Sequence, residues 1–269
     1  MERIRLQELF GSRRPLIGMV HLPALPGAPG HYMPVTAIGE HAVHEANLLC
    51  AAGFDAVLVE NFGDAPFFGR RVPPETLAAL AVVTADVVRS VACPVGVNVL
   101  RNDARAALAV CAAAGARFFR VNVHVGAMLT DQGWIEGDAA RTIRLRQRLV
   151  PGAALLADVH VKHAAPPHGW TLEQAARDTW RRGRADALVV SGTATGAATE
   201  VARIAAVRRA VPEAVILIGS GLDPENAAAL LAVADGAIVG SAVQHDGRAG
   251  HGVDPERARA LVTAARACD

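Results

Sequence analysis

The chain has 269 residues, of which 52% are hydrophobic and 20% charged, with a formal net charge of +1. That length suits one large domain. The near-neutral balance, with no Lys/Arg stripe interleaved with aromatics, gives no footprint for nucleic acid. The start, MERIRLQELFGSRRP, has no apolar signal-peptide core, and the longest apolar stretch (77–91) is broken by Asp86 and Arg89. No transmembrane segment is therefore expected, and a cytoplasmic location is.

Short runs rich in Val, Ile and Leu recur along the chain, each followed by a longer Ala-rich segment. LIGMVH (16–21) ends on His21 and leads into a Pro/Gly-rich stretch, LPALPGAPG (22–30), expected to form a rim or lid. AVLVEN (56–61) ends on Glu60 and Asn61. VGVNVL (95–100) carries Asn98, and FFRVNVH (118–124) carries Arg120, Asn122 and His124 at alternate positions. TDQGWIEGDA (130–139) is expected to be a long loop. Its Asp131 and Glu136 are either mouth residues or part of a turn and helix start. Arg144, Arg146 and Arg148 follow in a helical pattern that predicts a solvated face. LLADVHVK (155–162) carries Asp158, His160 and Lys162, the only lysine in the chain, and His163 opens the next loop. ALVVSG (187–192), VILIGSG (215–221) and AIVGSA (237–242) complete the series.

Between these runs lie helix signals. Pro73-Pro74-Glu75, Asp103, Asp223-Pro224-Glu225 and Asp254-Pro255-Glu256 put Pro or acid in a first turn, where unpaired N–H groups and the helix dipole favour them. Ala52-Gly53, Ala114-Gly115 and Arg182-Gly183 supply glycine stops. Near-continuous apolar strands alternating with helices mean a parallel sheet covered on both faces. Eight such units without a linker predict a single α/β domain over 1–269, a (β/α)8 TIM barrel. Within its N-terminal segment (1–14), residues 5–10 are expected to form a short helix closing the barrel bottom. A doubly wound open sheet is the alternative, but no G-x-G-x-x-G follows the first strand. Cys50, Cys93, Cys111 and Cys268 are far apart in sequence with no CxxC pair, and are expected to be reduced packing residues.

A barrel of this kind carries its chemistry at the C-terminal ends of its strands. Side chains two apart share a face, so Asn98, then Arg120, Asn122 and His124, then Asp158, His160 and Lys162 are expected to point inward, with His21 and Glu60 closing their strands. An unpaired buried polar group costs about 1–3 kcal/mol, so such residues need a network or a ligand. Lys162, Glu60, Asp158 and His160 are the catalytic candidates. His21, Asn98, Arg120, Asn122, His124, Asp131 and His163 are the substrate-binding ones. Two of these have structural alternatives: Arg120 and Asp158 as a buried ion pair, and Glu60 as the salt-bridge partner of Arg120 or Arg101. Asp158-x-His160 also has a spacing that suits a divalent metal, but no third ligand is fixed, so no metal ligand set and no cofactor is assigned. Loops after the seventh and eighth strands often bind phosphate through exposed N–H groups. Gly219, Ser220, Gly221, Gly240 and Ser241 fit that role, with Ser191 and Gly192 of SGTATG (191–196) beside them.

Several longer motifs carry a resemblance to a known family: VENFGDAPF (59–67), PVGVNVLRND (94–103), FFRVNVHVGAMLTDQGWIEGDA (118–139), LADVHVKHA (155–163) and ADGAIVGSA (234–242). From about Pro15 to the C-terminus the chain resembles the BtpA family. The resemblance implies a ribulose-phosphate-binding type of barrel. It also brings the family's namesake role, a cyanobacterial factor for photosystem I accumulation that is peripheral to thylakoid membranes. Glu60, Asn61, Asp64, Asn98, Arg101, Asn102, Asp103, Arg120, Asn122, Asp131, Asp158, Lys162 and His163 lie on the family motifs. His124 and His160 stand where the family is mainly apolar, and Gln244 stands where a basic residue is expected.

The leading expectation is an enzyme acting on a small phosphorylated sugar or nucleoside-derived metabolite, by lyase, aldolase or isomerase chemistry. Lys162 would act as Schiff-base nucleophile or as a cation polarising a carbonyl, and Glu60 or Asp158 would shuttle a proton. The alternatives are a non-catalytic photosystem I biogenesis factor and a nucleosidase or ribosyl-transfer enzyme. Homo-oligomerisation is left open.

Overall fold

Strands that are apolar on both faces must be covered outside by helices and inside by one another's side chains. The structure, a computed structural model, describes residues 3–192 and 201–268, and its strands close into a parallel barrel. The strands are β1 (Leu16–His21), β2 (Ala56–Glu60), β3 (Val95–Asn98) and β4 (Phe118–Val121). A separate antiparallel hairpin, β5 (Ala127–Thr130) and β6 (Gly133–Glu136), precedes β7 (Ala154–Val159), β8 (Ala187–Val190), β9 (Ile216–Ile218) and β10 (Gly236–Val239). The barrel order is β1-β10-β9-β8-β7-β4-β3-β2. After α1 (Leu6–Phe10), the helices are α2 (Val35–Ala52), α3 (Pro74–Ser90), α4 (Ala104–Ala114), α5 (Ala139–Leu149), α6 (Leu172–Arg177, continued by a π turn to Arg182), α7 (Val201–Ala210), α8 (Ala227–Leu231) and α9 (Pro255–Arg266). This is the (β/α)8 architecture. No helix among the described residues is long and apolar enough to cross a membrane.

The helix boundaries follow local chemistry. Pro74 opens α3. Asp103 accepts from the N–H of Ala106 at 2.9 Å, and Asp254 accepts from those of Glu256 and Arg257. Gly53 (φ 100) and Gly115 (φ 81) end α2 and α4 in the left-handed conformation. Gly183 is not such a stop. Its φ is −73, and its missing side chain instead admits the Thr179 carbonyl and the Val125 side chain.

The barrel interior is apolar at its lower end. Leu6 and Phe10 of α1 pack against Ile17, Leu58, Phe118, Leu156 and Val189, with Phe10 edge-on to Phe118 at 5.2 Å. Gly96 leaves the space that the Phe118 ring fills, since a Cβ there would lie 2.3 Å from the ring. Above this plug the same interior positions turn polar.

Two further expectations from the sequence are corrected. The 130–139 segment is not an irregular loop: most of it belongs to the β5–β6 hairpin, turning at Asp131-Gln132 ahead of Gly133 (φ 87). Arg146 does not face solvent. It is 0% exposed and forms an ion pair at 2.8 Å with Asp186, whose oxygens also accept the N–H groups of Ile4 and Leu155. The helix periodicity placed Arg146 one turn from Thr142 on the buried face, but only tertiary packing supplies the acid. Cys50 and Cys93, far apart in sequence, have their Sγ atoms 2.6 Å apart.

Candidate functional site

Strand register brings the polar residues to one level. His21 pairs with Glu60, Glu60 with Asn98, and Asn98 with Arg120 across β1, β2, β3 and β4. Because Arg120 pairs with Leu156, Asp158 stands one step higher, level with Asn122. Their side chains form a network. Arg120 donates through Nε and Nη2 to the two Asp158 oxygens at 2.8 and 2.9 Å, and Asn122 donates to Asp158 Oδ2 at 3.2 Å. Asn98 donates to the Arg120 carbonyl and to Asn122 Oδ1, both at 3.1 Å. The buried Asn98 Oδ1 has no hydrogen-bond partner among the described residues. Asp158 is thus committed to an ion pair at the floor of the mouth, the structural alternative read from the sequence.

Above this floor lies a cavity of about 310 Å³, within the size range of small-molecule sites. His21, Glu60, Arg120, Asn122, Lys162 and His163 line one part of it. The glycine-rich ends of β9 and β10, Gly219–Gly221 and Gly240–Ser241, line another. A side chain at Gly219 would strike the Ser191 Oγ at 2.2 Å, and one at Gly240 would crowd the His21 ring at 3.2 Å. Close packing therefore keeps main chain at the cavity wall there.

Arg101 and Gln244 were absent from the sequence-derived site. Arg101 lines the cavity and donates to the Lys162 carbonyl at 2.7 Å. Its place on a family motif was the available signal. Gln244 is fully buried. The Gly250 N–H donates to its Oε1 at 2.6 Å, which turns its amide N–H toward His21 Nδ1 at 2.8 Å. His21 Nδ1 is then an acceptor, and the proton of the neutral ring sits on Nε2, 3.7 Å from Glu60 Oε1. Nothing in the sequence marks a glutamine five residues past a strand as the partner of a histidine 223 positions away.

Charge at the mouth is skewed by burial. Desolvation raises the Glu60 carboxyl above its ordinary range, against the pull of Arg120, Lys162 and Arg101. Burial, then repulsion from Arg120, lowers Lys162. Burial lowers His21 to about 4. The unfolded chain therefore takes up a proton that folded His21 refuses. Stability should fall as pH drops from about 6.5 toward 4, by about 3 kcal/mol from this group. An imidazole NMR titration of His21 should show its midpoint near 4. A midpoint at the ordinary value would remove this contribution to the pH dependence of stability.

Four sets of candidates lie elsewhere. His124 turns away after β4 ends, and its Nε2 meets the Gly183 carbonyl at 2.8 Å outside the cavity. His160 follows the end of β7 with φ 52, so alternation is lost and its ring packs on Trp170 at 5.4 Å. It therefore does not share a face with Asp158, and the metal-like spacing is not realised. Among the described residues no group of three or more His, Cys, Asp or Glu is placed to hold an ion. Asp131 is exposed at the hairpin tip, hydrogen-bonded by Gln132, and Glu136 pairs with Arg70. Ser191 is buried against Gly219 and, with Gly192, does not line the cavity. The rest of SGTATG, 193–196, lies outside the described residues. The 22–30 segment is a fastened rim: Leu25 N–H donates to Asp64, and Thr76 Oγ1 to the Pro26 carbonyl.

The sequence profile of the BtpA family matches residues 12–267. Photosystem I biogenesis protein BtpA of Synechocystis sp. is 43% identical over 242 residues, covering 90% of this chain and 84% of that protein. The chain belongs to the BtpA family. An uncharacterized protein of Thermococcus kodakarensis is 47% identical, over 88% of this BtpA-family chain and 89% of its own length. Among solved structures, phosphoribosyl anthranilate isomerase from Thermus thermophilus superposes with a TM-score of 0.60 at 13% identity, covering 95% of this chain and 100% of that one. At that identity the likeness bears on the fold alone. The residues of the mouth must therefore speak for themselves.

Proposed function

We propose that this BtpA-family barrel is an enzyme of a small phosphorylated sugar or nucleoside-derived metabolite, with Lys162 at the reacting carbonyl. The observation that carries the reading is the company Lys162 keeps. It shares a cavity with Glu60, a carboxyl that burial raises above its ordinary range, and with the main-chain-rich ends of the last two barrel strands. A lysine held below its ordinary range offers more neutral amine at pH 7. The amine adds to a carbonyl carbon, water leaves as the imine forms, and Glu60 supplies or removes the proton. A lysine that stays charged would instead polarise the carbonyl oxygen. The phosphate would rest at Gly219–Gly221 and Gly240–Ser241, where small residues let an anion approach the backbone. Arg101 and Lys162 add positive charge beside Glu60, while Arg120 and Asp158 pair with each other below.

A thermal-shift screen with sugar phosphates and nucleoside phosphates tests this. A ligand present at about 100 times its Kd adds about 2.7 kcal/mol, or roughly 5 °C or more in Tm for a chain of this size. Silence from every phosphorylated compound, with shifts from none of their products, would count against the phosphate site. The name of the Synechocystis relative supports a second reading, a factor in photosystem I biogenesis. On that reading a Lys162→Ala chain would restore photosystem I in a cyanobacterium lacking its own family member.

A further inference from the structure

At the lower end of the barrel, away from the mouth, two cysteines meet. Cys50 lies in the last turn of α2, where its carbonyl accepts the Gly53 N–H at 3.0 Å and fixes the turn. Cys93 follows α3 and precedes Pro94, whose carbonyl accepts the Val57 N–H at 3.1 Å and so is tied to the start of β2. Both anchors are ordered main chain, and they hold Sγ to Sγ at 2.6 Å, inside ordinary sulfur contact. Both residues are half-buried, so a small reagent can reach them, whereas Cys111 is buried. Asymmetry is built in. A hydrogen bond from Cys93 holds the Cys50 thiol below its usual range, and the same bond pushes Cys93 up.

We propose that Cys50 and Cys93 are an oxidation site, a dithiol that closes to an intramolecular disulfide by exchange with a small-molecule disulfide of the oxidised-glutathione class. The Cys50 thiolate attacks one sulfur of the reagent, forming a mixed disulfide and releasing the first thiolate. Cys93 loses its proton to solvent and attacks Cys50 Sγ, releasing the second. Two protein thiols are oxidised and one reagent disulfide is reduced to two thiols, so the exchange balances. The new bond would clamp the end of α2 to the entry of β3 and close a loop that contains β2 and α3. Such a clamp stabilises chiefly by restricting the unfolded chain. It touches nothing at the mouth, and its outcome is independent of any function assigned there.

The test uses the full chain carrying Cys268→Ser, which removes the other accessible thiol. Incubated folded with oxidised glutathione, it should lose two hydrogens in mass without a retained adduct, and a digest should yield a linked Cys50–Cys93 peptide. Tm should rise by roughly 5 °C or more and return on reduction. Adding Cys93→Ser should trap a glutathione adduct on Cys50, while adding Cys50→Ser should leave Cys93 slow to react. A stable glutathione adduct on the two-cysteine chain would overturn the proposal. So would two thiols unchanged after oxidant treatment, or linkage that forms only in denaturant.

Discussion

Arg146→Ala should cost about 3–5 kcal/mol of folding stability, the expected loss when one partner of a buried ion pair is removed. Asp186 would remain buried without its cation. Burial already raises this carboxyl, with Arg146 the largest pull in the other direction. The two N–H groups that Asp186 accepts, from Ile4 and Leu155, tie the N-terminal segment and β7 to β8, so the damage would spread. Urea denaturation read by circular dichroism gives the number directly. A surface arginine on α5, such as Arg144, should change stability by no more than about 0.5 kcal/mol when cut to alanine. If Arg146→Ala behaved like Arg144→Ala, the buried pair would have no energetic standing.

Lys162→Met should hold or raise Tm while lowering turnover of the screened substrate at least about 100-fold, the usual scale for losing a group that acts only in the transition state. The stability half follows from sign. Folding lowers the lysine's affinity for its proton, so at pH 7 its charge costs folding free energy, and an apolar side chain of similar length relieves that cost. Borohydride with a sugar phosphate that shifts Tm would reduce the imine and leave a stable adduct on Lys162. An adduct absent from a chain that turns the substrate over would exclude the covalent route and leave carbonyl polarisation. Full turnover by Lys162→Met would remove Lys162 from the chemistry altogether. A large fall in Tm would mark it instead as a structural residue.

The two outcomes separate what burial does to two cations. Arg146 is sealed with its acid and serves the fold. Lys162 is only half-buried, opens on a cavity, and has four neighbouring charges of mixed sign. Composition alone gives no way to rank them. The distinction rests on whether a counter-ion is within contact, which is a property of packing.

Strand runs, helix starts and their alternation were legible because each depends on neighbours within a few residues. Apolar continuity marks a strand buried on both faces, Pro74 and Asp254 mark first turns, and Gly53 and Gly115 mark stops. Eight repeats of that grammar leave little but a barrel, and a barrel places strand ends at its mouth. The inward parity of Glu60, Asn98, Arg120, Asn122 and Asp158 follows from the two-residue period of a strand. That inference failed where the ladder stopped. The predicted runs continued through His124 and His160, but β4 ends at Val121 and β7 at Val159, and past those ends the ladder no longer enforces alternation: Asn122 and Lys162 still reach the cavity, His124 and His160 do not.

What the sequence determined by itself, then, was local periodicity and the fold that periodicity permits, because both are set by short-range sterics and the need to cover apolar surface. Tertiary structure chose the ion pair for Asp158 and Arg120 from the two roles the sequence left open, and alone supplied Asp186 for Arg146, Gln244 for His21 and Cys93 for Cys50. Each joins residues dozens to hundreds of positions apart, and their chemistry depends on distances of a few ångströms that no spacing in the chain records. The mouth belongs to both. Its level in the barrel was written in the strands, and its electrostatics came from burial, which exists only once the barrel has closed.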